Sequence, residues 1–222
     1  MAYRRTDKVA RRLAARHEAI IAAARSLAAE RGMAAVQIAP VARRTGIAAG
    51  TVYRYFPSKT AVVSALVTAV SEREIAAMRQ AAAAAPGPLS ALAAAIATFA
   101  ARSLGGRGLA WATLGEPVGP EIAAVRIAYR RALAAEIGTR LTAAIAARHL
   151  PEQEAPRAAA ALVGALIEGL IGPLAPKSPD DPAEAHATAQ MLTLFALRAI
   201  GVIDARARGL VVQTPPPTLD AG

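Results

Sequence analysis

Residues 38–59, IAPVARRTGIAAGTVYRYFPSK, constrain the fold of this 222-residue chain more than any other stretch. Ile38, Val41, Ala42 and Ile47 recur at helical spacing, and Val52 and Phe56 begin a second apolar stripe. Between the stripes Gly46 can take the positive φ that a tight turn needs. Two short helices around such a turn make a helix-turn-helix. A helix over residues 13–31, with Ile20, Ala24, Leu27 and Ala28 on one face and Gly32 as its stop, completes a three-helix unit.

The second short helix, residues 49–56, carries Thr51, Tyr53, Arg54 and Tyr55 off its Val52/Phe56 stripe. Ala49 and Gly50 are small enough for the helix tip to approach base edges. Thr51 and Tyr53 offer hydroxyls to phosphate, and Arg54 offers a guanidinium to phosphate or guanine. Lys59 follows Ser58, a good N-cap, so an ammonium and free helix-start amides lie together where a phosphate is favoured. Taken singly, Tyr53, Tyr55 and Phe56 suit a core and Arg54 a solvated surface; in this order they point to nucleic acid.

Charge agrees with that reading. Residues 1–60 hold 12 Lys and Arg against 3 Asp and Glu, whereas residues 61–222 hold 14 against 13, so nearly all of the net +10 belongs to the first part. Residues 1–12 form a basic arm whose Arg4, Arg5, Lys8, Arg11 and Arg12 suit the minor groove or phosphates, or equally a solvated terminus.

The run from A29-E-R-G32 through T-G-I-A-A-G-T-V-Y-R-Y-F-P-S-K resembles the DNA-binding domain of the TetR (tetracycline repressor) family. The resemblance is specific over about residues 13–66 and architectural beyond. It implies DNA contact near Gln37 and at Ala49, Gly50, Thr51, Tyr53, Arg54, Tyr55 and Lys59, with Arg43 and Arg44 of the preceding helix alongside. Ala48 stands where a capping Ser is frequent in the family, and Ala49 where Lys or Gln is frequent.

Beyond residue 58 a long helix runs to about residue 79 before Pro86-Gly87-Pro88 breaks the chain. Helices are expected over 89–104, 109–114 and 120–149, the last with Pro120 in its first turn. Residues 158–171, AAAALVGALIEGLI, are apolar almost all round, and the next helix opens on Asp181-Pro182-Ala183-Glu184, an Asp-x-x-Glu capping pattern. A helix apolar on every side must be buried on every side. It is either a central helix or one shared with a second subunit, and the family resemblance implies a four-helix dimer bundle. Leu162, Gly164, Ala165, Gly169, Met191, Leu194 and Phe195 are the candidate interface.

With no cysteine, and with His17, His149 and His186 far apart, the chain shows no disulfide or metal-ligand spacing, and it carries no catalytic motif. No enzyme and no cofactor is expected. The uncharged run 81–101 is broken by Pro-Gly-Pro and reads as two helices rather than a membrane span; without an apolar leader the expected location is cytoplasmic. The middle helices gather Met78, Phe99, Trp111 and Tyr129 with a few polar groups, Arg102, Glu116, Arg126 and Glu168, a composition suited to a small-molecule site. From it Phe99, Arg102, Trp111, Glu116, Tyr129 and Glu168 are the candidate ligand contacts.

The expected architecture is all-α. A helix-turn-helix domain over 1–60 joins a helical ligand-binding and dimerisation domain over 61–203, with a disordered tail over 204–222. The expected function is a ligand-responsive repressor that binds a palindromic operator in double-stranded DNA as a homodimer and is released by an apolar or amphipathic effector. An architectural DNA binder without a ligand, or a helical enzyme, is the alternative.

Overall fold

The computed structural model describes the backbone of residues 2–176 and 181–214, and the side chains of these from residue 9 onward. The described residues form ten α-helices and one 3-10 turn. Helix α1 spans Ala2–Arg31, the 3-10 turn Met33–Ala35, α2 Ile38–Thr45 and α3 Ala49–Tyr55. Helix α4 (Lys59–Ala83) leaves this unit and enters the second one, which continues with α5 (Pro88–Gly105), α6 (Arg107–Leu114), α7 (Pro120–Ala146), α8 (Ala155–Ile171), α9 (Pro182–Ala199) and α10 (Asp204–Gln213).

Helix α1 starts earlier than residue 13. Residues 9–19 are exposed on every side, so this extension rests on the propensity of Ala and Arg rather than on packing. Of the basic arm, Arg11 and Arg12 are exposed on α1; the side chains of Arg4, Arg5 and Lys8 lie outside the described residues. The core of the unit is Ile20, Ala24, Leu27, Ala28, Met33, Val36, Val41, Val52 and Phe56, and the His17 ring lies 4.8 Å from the Phe56 ring. Gly32 (φ 78°) and Gly46 (φ 68°) turn the chain in the left-handed region after α1 and α2.

In the second unit α5 is the central post, packed against α4, α7, α8 and α9. It is the one described helix long and apolar enough to cross a membrane, and 67% of it is buried inside the fold, as befits a core helix. Its N-cap Gly87 closes a box with Ser90. Pro120 opens α7, and Asp181 caps α9 by accepting from Ala183 N at 3.0 Å. The capping amide is thus one residue earlier than an Asp-x-x-Glu box requires.

The tail departs from the expected disorder over its first ten residues. Asp204 accepts from Arg198 and Arg208 at the start of α10, and Ala207 and Val211, four residues apart, are buried. One apolar stripe and one anchored first turn suffice to hold the helix on α9 and α5. Pro215, Pro216 and Pro217 lie outside the described residues.

Candidate nucleic-acid interface and ligand cavity

Helix α3 buries a single stripe. Val52 is fully buried and Phe56 caps the stripe, while Ala49, Gly50, Tyr53 and Arg54 are exposed and Thr51 and Tyr55 half-buried. Tyr53 is 54% exposed, which a core role would not allow. Nothing lies within 4 Å of a methyl placed on Gly50, so the helix tip is open to an approaching surface. Ala48 gives α3 no side-chain cap, leaving its first amides available. Lys59 stands at the start of α4, where Ser58 caps through Ala61 N at 3.1 Å.

The residues of α2 divide. Arg43 is exposed, and Gln37, exposed at the N-cap, donates to Ala34 O at 3.0 Å. Arg44 instead turns back on α1, donating to both Glu30 oxygens (2.5 and 2.8 Å) and to Ser26 Oγ (2.7 Å). It braces α2 on α1 while remaining at the surface. The Arg44 guanidinium holds the Glu30 carboxyl down at about 2.

A cavity of about 600 Å³, open at one side, lies where the two units meet. Ala22, Arg25, Ser26 and Ala29 of α1 form one wall; Val70, Arg73 and Glu74 of α4, Arg102 and Ser103 of α5, Leu109, Ala110 and Thr113 of α6 and Tyr129 of α7 form the rest. Its size suits a drug-sized molecule. Inside it Arg102 Nε donates to Glu74 Oε2 at 3.0 Å, an ion pair that is largely buried. Burial pushes the Glu74 carboxyl up against the pull of Arg102, and burial, followed by the Glu74 charge, pushes the Tyr129 phenol up.

Residues 20–66 match the family model of bacterial regulatory proteins, tetR family. The first unit is a tetR-family domain. No curated protein matches the chain by sequence. Solved structures share the fold over nearly their whole length. RolR in complex with resorcinol is 23% identical, covering 94% of this chain and 98% of its own, with a TM-score of 0.67. The regulator FadR from Bacillus subtilis in complex with stearoyl-CoA is 21% identical, covering 84% and 98%, also at 0.67. PfmR, a TetR family transcriptional regulator from Thermus thermophilus, is 20% identical, covering 81% and 97%, at 0.63. All three fall below the identity at which more than fold is shared.

Of the expected ligand contacts, Arg102 and Tyr129 line the cavity beside the tetR-family domain, and four others do not. Phe99 is buried in the core on α5. The Trp111 indole folds over Gly115, where a methyl would sit 2.3 Å from the ring. Glu168 accepts from Leu174 N at 2.8 Å and closes the loop after α8. Glu116 reaches the tetR-family domain itself, accepting from Met33 N at 2.8 Å across 83 residues of sequence. Arg126, buried on α7, spends its guanidinium on the carbonyls of Ala112 and Thr113 (2.9 Å each) and of Glu116, and Arg130 adds Leu114 O at 2.7 Å. The end of α6 and the Glu116 loop are thereby clamped to α7, cations meeting the negative helix terminus. Sequence reasoning missed Glu74, Ser26 and Arg73, which carry no motif.

The candidate dimer residues also divide. Gly164 of α8 is exposed with open space around it, and Met191 (56%) and Phe195 (52%) of α9 are exposed, with Ala165 and Leu194 half-buried. Leu162 points into the protomer with Ala159, Leu166 and Leu170, and Gly169 faces Leu192, whose Cδ2 would lie 3.1 Å from an added methyl. Helix α8 is therefore buried on one side only within the chain, where α7, with α5, α6 and α9, packs against it.

Proposed function

We propose that the protein is a ligand-responsive transcriptional repressor that binds a palindromic operator as a homodimer and leaves it when an amphipathic effector enters the cavity. The observation that carries this reading is the shared wall: α1, the scaffold helix of the reading unit, lines the cavity together with α4, the helix that leaves that unit. An effector there touches both sides of the junction, and its preference for one arrangement of α1 against α6 would shift the reading heads. Two recognition helices reading successive major grooves must sit about 34 Å apart, so a small rotation spoils their register. A tenfold preference of the effector for the DNA-incompetent form supplies about 1.4 kcal/mol per site.

The homodimer is supported by the exposed stripe of Gly164, Met191 and Phe195, apolar surface of the kind that marks an interface. Fluorescence anisotropy with operator DNA selected from random duplexes, with and without effector, tests the function. Operator affinity that no small molecule or cell extract alters would sink the ligand-responsive reading and leave the architectural one, which a filled second unit would have favoured. Sedimentation as a monomer at micromolar concentration would refute the dimer. An effector-controlled protein that reads chromosomal DNA works in the cytoplasm.

A further inference from the structure

The basic residues ahead of the reading unit are ordered by the helix that carries them. Helix α1 runs without a break from Ala2, and residues 1–19 hold six Lys and Arg, at positions 4, 5, 8, 11, 12 and 16, against two acids, Asp7 and Glu18. At 100° per residue the six positions fall within an arc of about 140°, with both acids outside it. Arg4, Lys8, Arg12 and Arg16 make a single row at four-residue intervals, and Arg12 and Arg16 are exposed. Like charges four apart destabilise a helix, and no acid lies in the row to offset them. A terminus that only meets solvent gains nothing from such stacking, whereas against a duplex each cation of the row releases counterions. The direction of the helix is set by His17, whose ring lies against that of Phe56, the residue that ends α3 and stands two before the α4 cap Ser58. Residues ahead of 17 therefore leave the unit at the edge where Lys59 stands, and at 1.5 Å per residue they span about 22 Å, roughly six base pairs of duplex.

We propose that the first four turns of α1 are a second DNA-binding element, in which Arg4, Lys8, Arg12 and Arg16 bind backbone phosphates flanking the site read by α3. This rests on the protein binding operator DNA, and it adds a contact outside the read sequence. Phosphates are alike at every step, so the element raises affinity without altering preference. An anionic lipid surface would attract the same charge but also takes a broad apolar face. Val9 and Leu13 are the only large aliphatic residues ahead of Ile20, and two such side chains beside six cations favour a polyanion over a membrane.

Fluorescence anisotropy tests it with two duplexes carrying the same selected site, one ending at the site and one with about ten further base pairs on each side. The full chain should bind the longer duplex about tenfold more tightly at moderate salt, with a steeper dependence on salt. Arg4→Gln, Lys8→Gln, Arg12→Gln and Arg16→Gln together keep good helix formers in the row. That variant should lose most of the gain, flatten the salt slope by about 0.9 for each phosphate given up, and bind the shorter duplex within about twofold of wild type. Arg4→Lys, Arg12→Lys and Arg16→Lys together should retain the gain, because phosphate accepts either cation. Equal binding of the two duplexes by the wild type, or of the longer one by wild type and Gln variant, overturns the inference and leaves α3 as the reader. A loss equal on both duplexes overturns the flanking placement. Flank sequence that changes wild-type affinity by more than about threefold overturns the phosphate assignment, since bases are then being read. Cosedimentation with phosphatidylserine vesicles that the Gln variant loses while keeping its DNA affinity overturns DNA as the partner. If no duplex selected from a random pool binds the full chain, the operator reading falls as well. The wild-type comparison of the two duplexes stands even if the Gln variant fails to fold.

Discussion

The proposed DNA-reading face occupies residues 37–59, whereas the cavity draws its walls from five helices between residues 22 and 129. The first is exposed, basic and held by one buried stripe. The second is half-enclosed, and ionic groups hold its shape: Arg102 on Glu74, largely buried, within, and the buried Arg126 with the exposed Arg130 on the carbonyls of α6 behind. A face made of neighbours in sequence can change residue by residue without disturbing the fold. A cavity made of distant helices changes only if its clamps allow it. On the function proposed above, the difference is one between a surface that reads and a volume that senses.

The largest test of that contrast is Arg126→Met. It strips three carbonyls of their donor in a buried place and should destabilise the protein by about 3 kcal/mol, seen as a lower melting temperature. The fragment of the fold around α3 should keep its helical exchange protection longer than α6 does. Next is Gly108→Ala. A methyl there would stand 2.3 Å from the Ala29 carbonyl oxygen, backbone that cannot yield, so α6 must move off α1. We expect about 2 kcal/mol of lost stability, with changed ligand binding and changed operator affinity together. If Gly108→Ala alters only one of the two, the shared wall does not couple them.

On the reading face the effects are smaller and confined. Arg54→Ala should cost about 1–2 kcal/mol of operator affinity, relaxing preference at one position if it meets a base, and leave any ligand binding at the cavity unchanged. Lys59→Ala should weaken all sequences alike and reduce the slope of affinity against salt by about one contact. Anisotropy titrations over a salt series separate the two.

The smallest effect concerns Arg44→Met. Because Arg44 holds the Glu30 carboxyl at about 2, below its ordinary 4.5, the folded state binds this proton less readily than the unfolded one. The pair's stabilisation is therefore present above pH 4.5 and lost as pH falls toward 2. Removing Arg44 should flatten that part of the acid unfolding curve, a small change because both groups are exposed. An unchanged acid limb would mean that the pair is not formed in solution.

How much of this was legible in the sequence follows the same contrast. The α3 face was readable because its pattern is contiguous: Val52 and Phe56 fix the buried stripe, and what lies off the stripe must face outward. The pairing of Arg44 could not be read because its partner Glu30 sits on another helix, and nothing in residues 38–45 announces it. Glu74 reads as part of a polar stretch, Ser71-Glu72-Arg73-Glu74, and only Arg102, 28 residues on, shows that it is buried. Trp111 has the composition of a ligand contact, yet Gly115, four residues later, gives its ring a seat on its own helix. For α8, an all-apolar helix has no phase, so Leu162 and Gly169 could not be told from Gly164 until the helices packed on it, α7 foremost, had chosen a side.

The bond from Glu116 to Met33 bears on how such proteins can be recombined. Gly32 and Met33 form the corner through which the chain passes from α1 into the reading helices, and that corner is finished by a carboxylate from the other unit. A reading head cut at α4 and grafted onto a different sensor would keep its DNA-facing residues and lose this closure, unless the new sensor offers a carboxylate at the same loop. Head and sensor are thus matched parts, and exchange between relatives is a question of whether one hydrogen bond and the close seat of Gly108 on Ala29 are reproduced at the seam.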